Sequence, residues 1–215
     1  MSSRDVILKR LRKAAQPFQD VPPRTEHMAM VPDAPQTPDD LQSRFVAEAE
    51  AVGCTVYCVT SQEDAVTHLL EILREHDSIL SWHESHLPIS GFCEALQSQG
   101  KTIADPAATD VRVGITGADA ALAVTGSLVL QSGTGKYRLT SLLPDLHIAL
   151  VKASQIVPDF ETWIAQQRED HLSAFSESSN TIIITGPSKT ADIAQELILG
   201  AHGPKQVHIV LLTSA

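Results

Sequence analysis

At 215 residues with 43% hydrophobic content, the chain is long enough to bury a full core as one domain with a small N-terminal appendage. Its 16 Lys+Arg stand against 26 Asp+Glu, a formal charge of −10, which argues against non-specific binding to nucleic acid or to an anionic membrane surface. An anion site would therefore be local, built from a few donors rather than from a basic field.

The longest apolar runs, His147 to Val151 and Val207 to Leu212, are too short to cross a bilayer. Met1 to Gln16 mixes charges with Ile7, Leu8 and Leu11 and has no continuous apolar stretch of the signal-peptide kind. The expectation is a soluble cytoplasmic protein. Three cysteines, an odd number, supply no disulfide framework, and no CxxC pair offers a thiolate cluster to zinc or iron–sulfur. No metal site and no cofactor is therefore evident, and buried core cysteines are expected.

In chain order, Ser2 or Ser3 can cap a first helix with an apolar stripe of Val6, Ile7, Leu8 and Leu11 among Arg4, Lys9, Arg10, Arg12 and Lys13. Pro17 ends it, and the proline-rich stretch to Pro38 reads as a linker. Residues 1–36 thus form an appendage, and 37–215 the globular part. Thr37-Pro38 is an N-cap followed by proline at the first helical position, predicting a helix to about Val52. Gly53 and a strand from Cys54 to Thr60 follow. Ser61 and Asp64 resemble a capping box at the start of a helix to about His76. Ser78 to Trp82 is a strand, Gly91 to Gln99 a short helix and Lys101 to Ala104 a short strand. This alternation predicts an α/β fold, a mainly parallel sheet covered by helices.

The middle changes character. Thr125 to Gln131 and Leu139 to Leu143 read as strands around the turn Ser132-Gly133-Thr134-Gly135, predicting an antiparallel hairpin insertion. His147 to Val151 is again a buried strand, and Ile156 to about Asp170 a helix. Ile182 to Leu212 reads as strand, glycine turn, amphipathic helix, glycine turn and strand, a last β-α-β unit.

Three constellations carry candidate chemistry. The turn Thr185-Gly186-Pro187-Ser188-Lys189-Thr190 gathers hydroxyls, a cation and backbone N–H groups at an expected helix start. It reads either as an anion cradle or as an ordinary capped turn. It is not a Walker A loop, and no GxGxxG is present. The stretch Gly114 to Ser127 holds the pairs Thr116-Gly117 and Thr125-Gly126, with Asp119 between them as a candidate catalytic carboxylate or a simple helix-dipole partner. Trp82-His83-Glu84-Ser85-His86 lies past a strand end, with Glu84 a candidate base or nucleophile. No serine-hydrolase elbow or triad spacing is identifiable.

At these residues a resemblance appears. ITGADAALAVTGSLVL from Ile115, LLPDLHIALV from Leu142 and TGPSKTADIAQELILGAHGPKQVHIVLL from Thr185 are similar to the LUD domain family. The resemblance covers about Thr37 to Leu212, at the length of the family's small single-domain members. It implies a three-layer α/β/α fold of the ribose-phosphate isomerase and CoA-transferase kind. It also implies a role in oxidising L-lactate to pyruvate, beside partner subunits that carry iron–sulfur clusters. This chain, without cluster motifs, would hold a small anionic ligand instead. The ligand-binding residues would be Thr116, Gly117, Thr125, Gly126, Ser127, Gly186, Ser188, Lys189 and Thr190. Relatives often have an acidic residue where this chain has Val124. The alternative is a stand-alone transferase or isomerase acting on a CoA or sugar-phosphate substrate, with Glu84 or Asp119 as the working carboxylate.

Overall fold

A computed structural model describes residues 3–15, 37–170, 172–191 and 197–214. Two compact units divide the chain. The described part of the first is helix α1 (Ser3–Ala15), whose Val6, Ile7 and Leu11 are all exposed. The proline-rich linker expected after it lies outside the described residues.

The second unit is built on six parallel strands. These are β1 (Thr55–Val59), β2 (Ser78–Ser81), β3 (Thr102–Ile103), β4 (Val113–Thr116), β7 (Leu146–Lys152) and β12 (Gln206–Leu212), in the order β1-β12-β7-β4-β2-β3. The inner strands β7 and β12 are buried almost end to end, which is why they read as unbroken apolar runs. Helices cover both faces. On one, His68 of α3 (Gln62–Ile72) packs tilted against Tyr57 with ring centroids 4.0 Å apart. On the other, α5 (Leu139–Leu142) presses its backbone against Gly114.

Local chemistry starts the helices as the sequence indicates. Thr37 accepts from Asp40 N at 3.2 Å to open α2 (Pro38–Ala51), with Pro38 at a position where its missing N–H costs nothing. Ser61 accepts from Asp64 N at 3.0 Å to open α3. The end of α3 has a less ordinary stop. Lys101, only 7% exposed, donates to the carbonyls of Leu73 (2.6 Å), Arg74 (3.2 Å) and His76 (2.9 Å). A buried ammonium is tolerated here because three carbonyls replace its water. Lys101→Met is expected to cost about 3 kcal/mol by leaving those acceptors unpaired, measurable by urea unfolding. A change within about 0.5 kcal/mol, as for an ordinary surface substitution, would contradict that role.

Three expectations are corrected. The predicted hairpin does not form: Leu139–Leu142 is a helical turn with Thr140 and Ser141 buried. Strand β6 (Ser127–Ser132) instead pairs antiparallel with β5 (Ala120–Leu122) and with β9 (Asn180–Ile184). With the short β8 (Ile156–Val157) these make a second sheet, β8-β5-β6-β9. The last segment is not a β-α-β unit within one sheet, because β9 belongs to this second sheet and β12 to the first. The ends of the expected helix are instead the strands β10 (Lys189–Ala191) and β11 (Leu197–Leu199), paired antiparallel; its middle, residues 192–196, lies outside the described residues. The ends of this hairpin are tied by Ser188, whose N–H donates to Pro204 O at 2.8 Å and whose carbonyl accepts from Gly200 N at 2.9 Å. The helix expected from Ile156 begins later, as α6 (Phe160–Glu169), where Asp159 accepts from Thr162 N at 2.7 Å.

Candidate functional site

Strands β2 and β4 end side by side, with Ser81 opposite Ile115 and Trp82 N donating to Ile115 O at 3.0 Å. Their carboxyl ends release the two loops His83–His86 and Gly117–Asp119, the place where open α/β sheets hold ligands. His83 shapes the first loop, its Nδ1 accepting from Ser85 N at 3.3 Å. Glu84 turns away toward α4 (Phe92–Ser98), where Oε1 accepts from Cys93 N at 3.4 Å. That helix has no side-chain cap on Gly91 and carries Glu94 in its first turn; Glu84 adds a second carboxylate there. Burial pushes the Cys93 thiol up, and the Glu84 charge and hydrogen bond push it further.

The loop after β6 closes over this point. Gly133 and Lys136 exchange backbone hydrogen bonds of 3.1 and 3.0 Å, and His83 N donates to Gly135 O at 2.8 Å. His86 Nε2 lies 3.2 Å from Thr134 O; a carbonyl brings no proton, so Nε2–H is the donor. A side chain at Gly135 would sit 3.0 Å from both His83 and His86, at a φ of 75°. Glycine is therefore required for the loop to seat on the two histidines.

Lys136 then points inward. Its ammonium pairs with Asp119 Oδ1 and lies 5.3 Å from the centroid of the Trp82 ring. Asp119 Oδ2 accepts from Gln131 N at 2.7 Å. Trp82 Nε1 donates to Tyr137 O at 3.2 Å. The carboxylate is thus held on two sides and fixes the lysine over the indole face, a favourable position for a cation.

Around this pair runs a cleft of two lobes. The broad lobe, about 760 Å³, is lined by Pro106, Thr134, Tyr137, Arg138, Leu139 and Asn180 among others. The narrow lobe, about 310 Å³, includes His86 and Gln131, and shares Ser132, Gly133, Lys136 and Glu177 with the broad one. Gln131 is 8% exposed, and its buried Nε2 has no hydrogen-bond partner.

The residues expected to bind a ligand fall in two places. Thr116 and Gly117 lie behind the His83–His86 loop and line neither lobe: a side chain at Gly117 would come within 2.6 Å of His86 O. Thr116 itself is buried, its Oγ1 2.8 Å from His147 Nε2, and burial pushes His147 down to about 4. The others gather around the end of α2. Ser127 Oγ meets Thr185 Oγ1 at 2.8 Å, joining the Thr125-Gly126 turn to the Thr185–Thr190 turn. Gly126 and Gly186, with φ of 62° and 81°, bring their backbones against Ala49 and Val52. Lys189 Nζ donates to Val52 O at 2.8 Å, a cation on the carbonyl end of α2. Ser188 Oγ accepts from His202 N at 3.3 Å, and Thr190 pairs with Ile198 in the hairpin. Here the turn leads into β10; Ser188 Oγ serves as an acceptor, and Lys189 Nζ gives one hydrogen bond to Val52 O.

Sequence reasoning did not single out Gln131, Lys136, Tyr137, Arg138 or Glu177. The available signal was Lys136-Tyr137-Arg138 after a Gly-Thr-Gly turn, two cations around an aromatic. Glu84 and Asp119 are not a facing carboxylate pair: one serves the start of α4, the other Lys136. Among the described residues, no three His, Cys, Asp or Glu side chains converge as a metal set, and no helix is long and apolar enough to cross a membrane.

Comparison with known proteins gives this architecture relatives. Lactate utilization protein C of Halalkalibacterium halodurans is 35% identical over 154 residues, covering 66% of this chain and 65% of that protein. The protein of the same name from Macrococcus caseolyticus is 46% identical over 101 residues, covering 46% and 43%. The matches thus span less than two thirds of these relatives' own lengths. A DUF162 family protein from Deinococcus radiodurans, known from a crystal structure, superposes with a TM-score of 0.59 at 16% identity, over 83% of this chain and 99% of that one. That likeness concerns the fold alone. The LUD domain matches residues 42–212, from within α2 through the last strand of the parallel sheet and including every residue that lines the cleft. The chain belongs to the LUD domain family.

Proposed function

We propose that this protein is a component of a bacterial L-lactate utilisation system, in the cytoplasm, where lactate is oxidised to pyruvate. In this reading it binds a small anionic metabolite and leaves electron transfer to partner subunits with iron–sulfur clusters. The observation that carries the proposal is the similarity, at 34–46% identity, to several proteins named lactate utilization protein C. The cysteine chemistry supports the division of labour. Burial pushes the Cys54 thiol up to about 11, and Cys58 and Cys93 are raised as well. An iron–sulfur cluster usually takes four thiolates, and the chain has three cysteines and no CxxC pair.

The test is genetic. Deleting the gene in its own host is expected to abolish growth on L-lactate as sole carbon source while sparing growth on glucose, with restoration by a plasmid copy. Undiminished growth on lactate would overturn the assignment.

A further inference from the structure

The cleft beside Lys136 is larger than lactate needs, and its polar groups are arranged unevenly. Ligand pockets of roughly 300–1,000 Å³ hold molecules of drug or cofactor size. The narrow lobe of about 310 Å³ already reaches that range, and the broad lobe is about 760 Å³. A three-carbon acid would leave most of this space to water.

We propose that the cleft binds an anionic head group, carboxylate or phosphate, carried on a larger planar body. The head occupies the narrow lobe against Lys136 and Gln131, and the body lies in the broad lobe against Tyr137. This rests on the anion-binding part of the function proposed above and names the site and the ligand class.

Four observations converge. Gln131 lines the narrow lobe, is 8% exposed, and has a buried Nε2 with no partner. Such a group is expensive to leave unmatched, and a turn of the amide toward the lobe would offer it to an acceptor on a ligand. Lys136 reaches the same lobe with three donors, of which the Asp119 pair uses one. Asp119 is itself held by Gln131 N, so the cation is positioned before any ligand arrives. In the broad lobe, Tyr137 and Leu139 are each 41% exposed, apolar surface that a planar body would cover.

The charged and titratable groups lining the cleft are Lys136, Tyr137, Arg138, His86 and Glu177, with Asp119 behind Lys136. Asp119 is turned onto Lys136. Glu177 on the shared rim is the carboxylate left to accept, and it suits a ligand hydroxyl. Arg138, exposed in the broad lobe, offers a fork of donors to a second anionic group or a planar face for stacking.

Isothermal titration with defined probes tests this. Adenosine monophosphate and p-hydroxyphenyllactate carry a phosphate or a carboxylate head. Adenosine and p-hydroxyphenylethanol are their headless counterparts, and L-lactate and inorganic phosphate supply the head alone. At least one head-bearing probe is expected to bind about tenfold or more tighter than its headless counterpart and than its isolated head. Which arm responds identifies the head chemistry. Lys136→Met and Gln131→Leu are each expected to weaken that probe about tenfold. Should Lys136→Met fail to fold with Asp119 left alone, Asp119→Asn/Lys136→Met removes both charges. Titration with the bound probe is also expected to move the His86 ring resonances. Absence of binding by both head-bearing probes, or affinities indifferent to the variants, would overturn the site. Loss of the lactate phenotype and loss of probe binding are read in separate experiments, so each proposal fails on its own.

Discussion

Gly114→Ala is expected to cost about 4 kcal/mol or more, at the far end of what single substitutions do. Gly114 lies in β4, in the middle of the parallel sheet, opposite Leu80 on one side and His147 on the other. A Cβ there would overlap the carbonyl oxygen of Thr140 and stand 3.0 Å from Pro144 Cγ. The obstacle is backbone, so no rotamer change relieves it. Either α5 lifts from the sheet, exposing the buried Thr140 and Ser141, or β4 leaves its register. Overpacking a core usually costs about 1–3 kcal/mol when side chains can give way; here they cannot. For a domain of this size the loss corresponds to a fall of roughly 8–16 °C in melting temperature. Gly203→Ala is the control, because its nearest neighbour is Ser188 Cβ at an ordinary 3.4 Å. Equal melting temperatures for the two variants would show that α5 is not seated on Gly114.

The same glycine shows which parts of the fold sequence can reveal. Helix starts were legible because their chemistry is local. Thr37 with Pro38, and Ser61 with Asp64, act within a single turn, and both caps form. The buried strands β7 and β12 were legible from their length and apolarity. What escaped depends on distant partners. Leu139 to Leu143 has a strand-like composition, but α5 forms because its backbone finds a flat surface at Gly114, some 26 residues earlier in the chain. The segment after Thr190 has local helix formers, yet Lys189 is drawn to the end of α2 and Ser188 is clasped by Pro204 and Gly200. These long-range ties favour the β10–β11 pairing over local propensity.

The candidate site divides the same way. Loops leaving β2 and β4 were legible as ligand-side positions, since parallel strands point their carboxyl ends to one edge. The partners that turn those loops into a cleft were not. Lys136 becomes part of a site only because Asp119 and Trp82 meet it from two other elements. Glu177 joins through the pairing of β9 with β6, which places residues 177–180 beside Ser132. The TGPSKT string is a specific family signature with visible structural work: it closes the hairpin, caps α2 and hydrogen-bonds Ser127. A conspicuous motif and a cavity therefore occupy different parts of this domain.

Acidification is expected to expose the second large effect, at His147. This ring is fully buried, and desolvation holds its pKa down to about 4 against an unfolded value of 6.5. The folded protein therefore keeps the imidazole neutral where the unfolded chain takes up a proton. Above pH 6.5 both states are neutral, and the contribution is fully present. As pH falls from 6.5 toward 4 the unfolded state gains the proton, and stability drops by about 3 kcal/mol before levelling off. His208 is lowered by burial and by His68, and adds to the loss in the same direction. Urea unfolding at pH 7, 5.5 and 4.5 measures the slope. Thr116→Val/His147→Leu removes the titrating ring together with the hydroxyl 2.8 Å from it, leaving no orphaned partner. The double variant should lose about 3 kcal/mol less than the parent over the interval, whatever its stability at pH 7. Parallel curves would mean that the ring reaches solvent and titrates in the folded state. The outcome bears on the cleft as well, because Thr116 ends the strand that leads to Gly117 under His86.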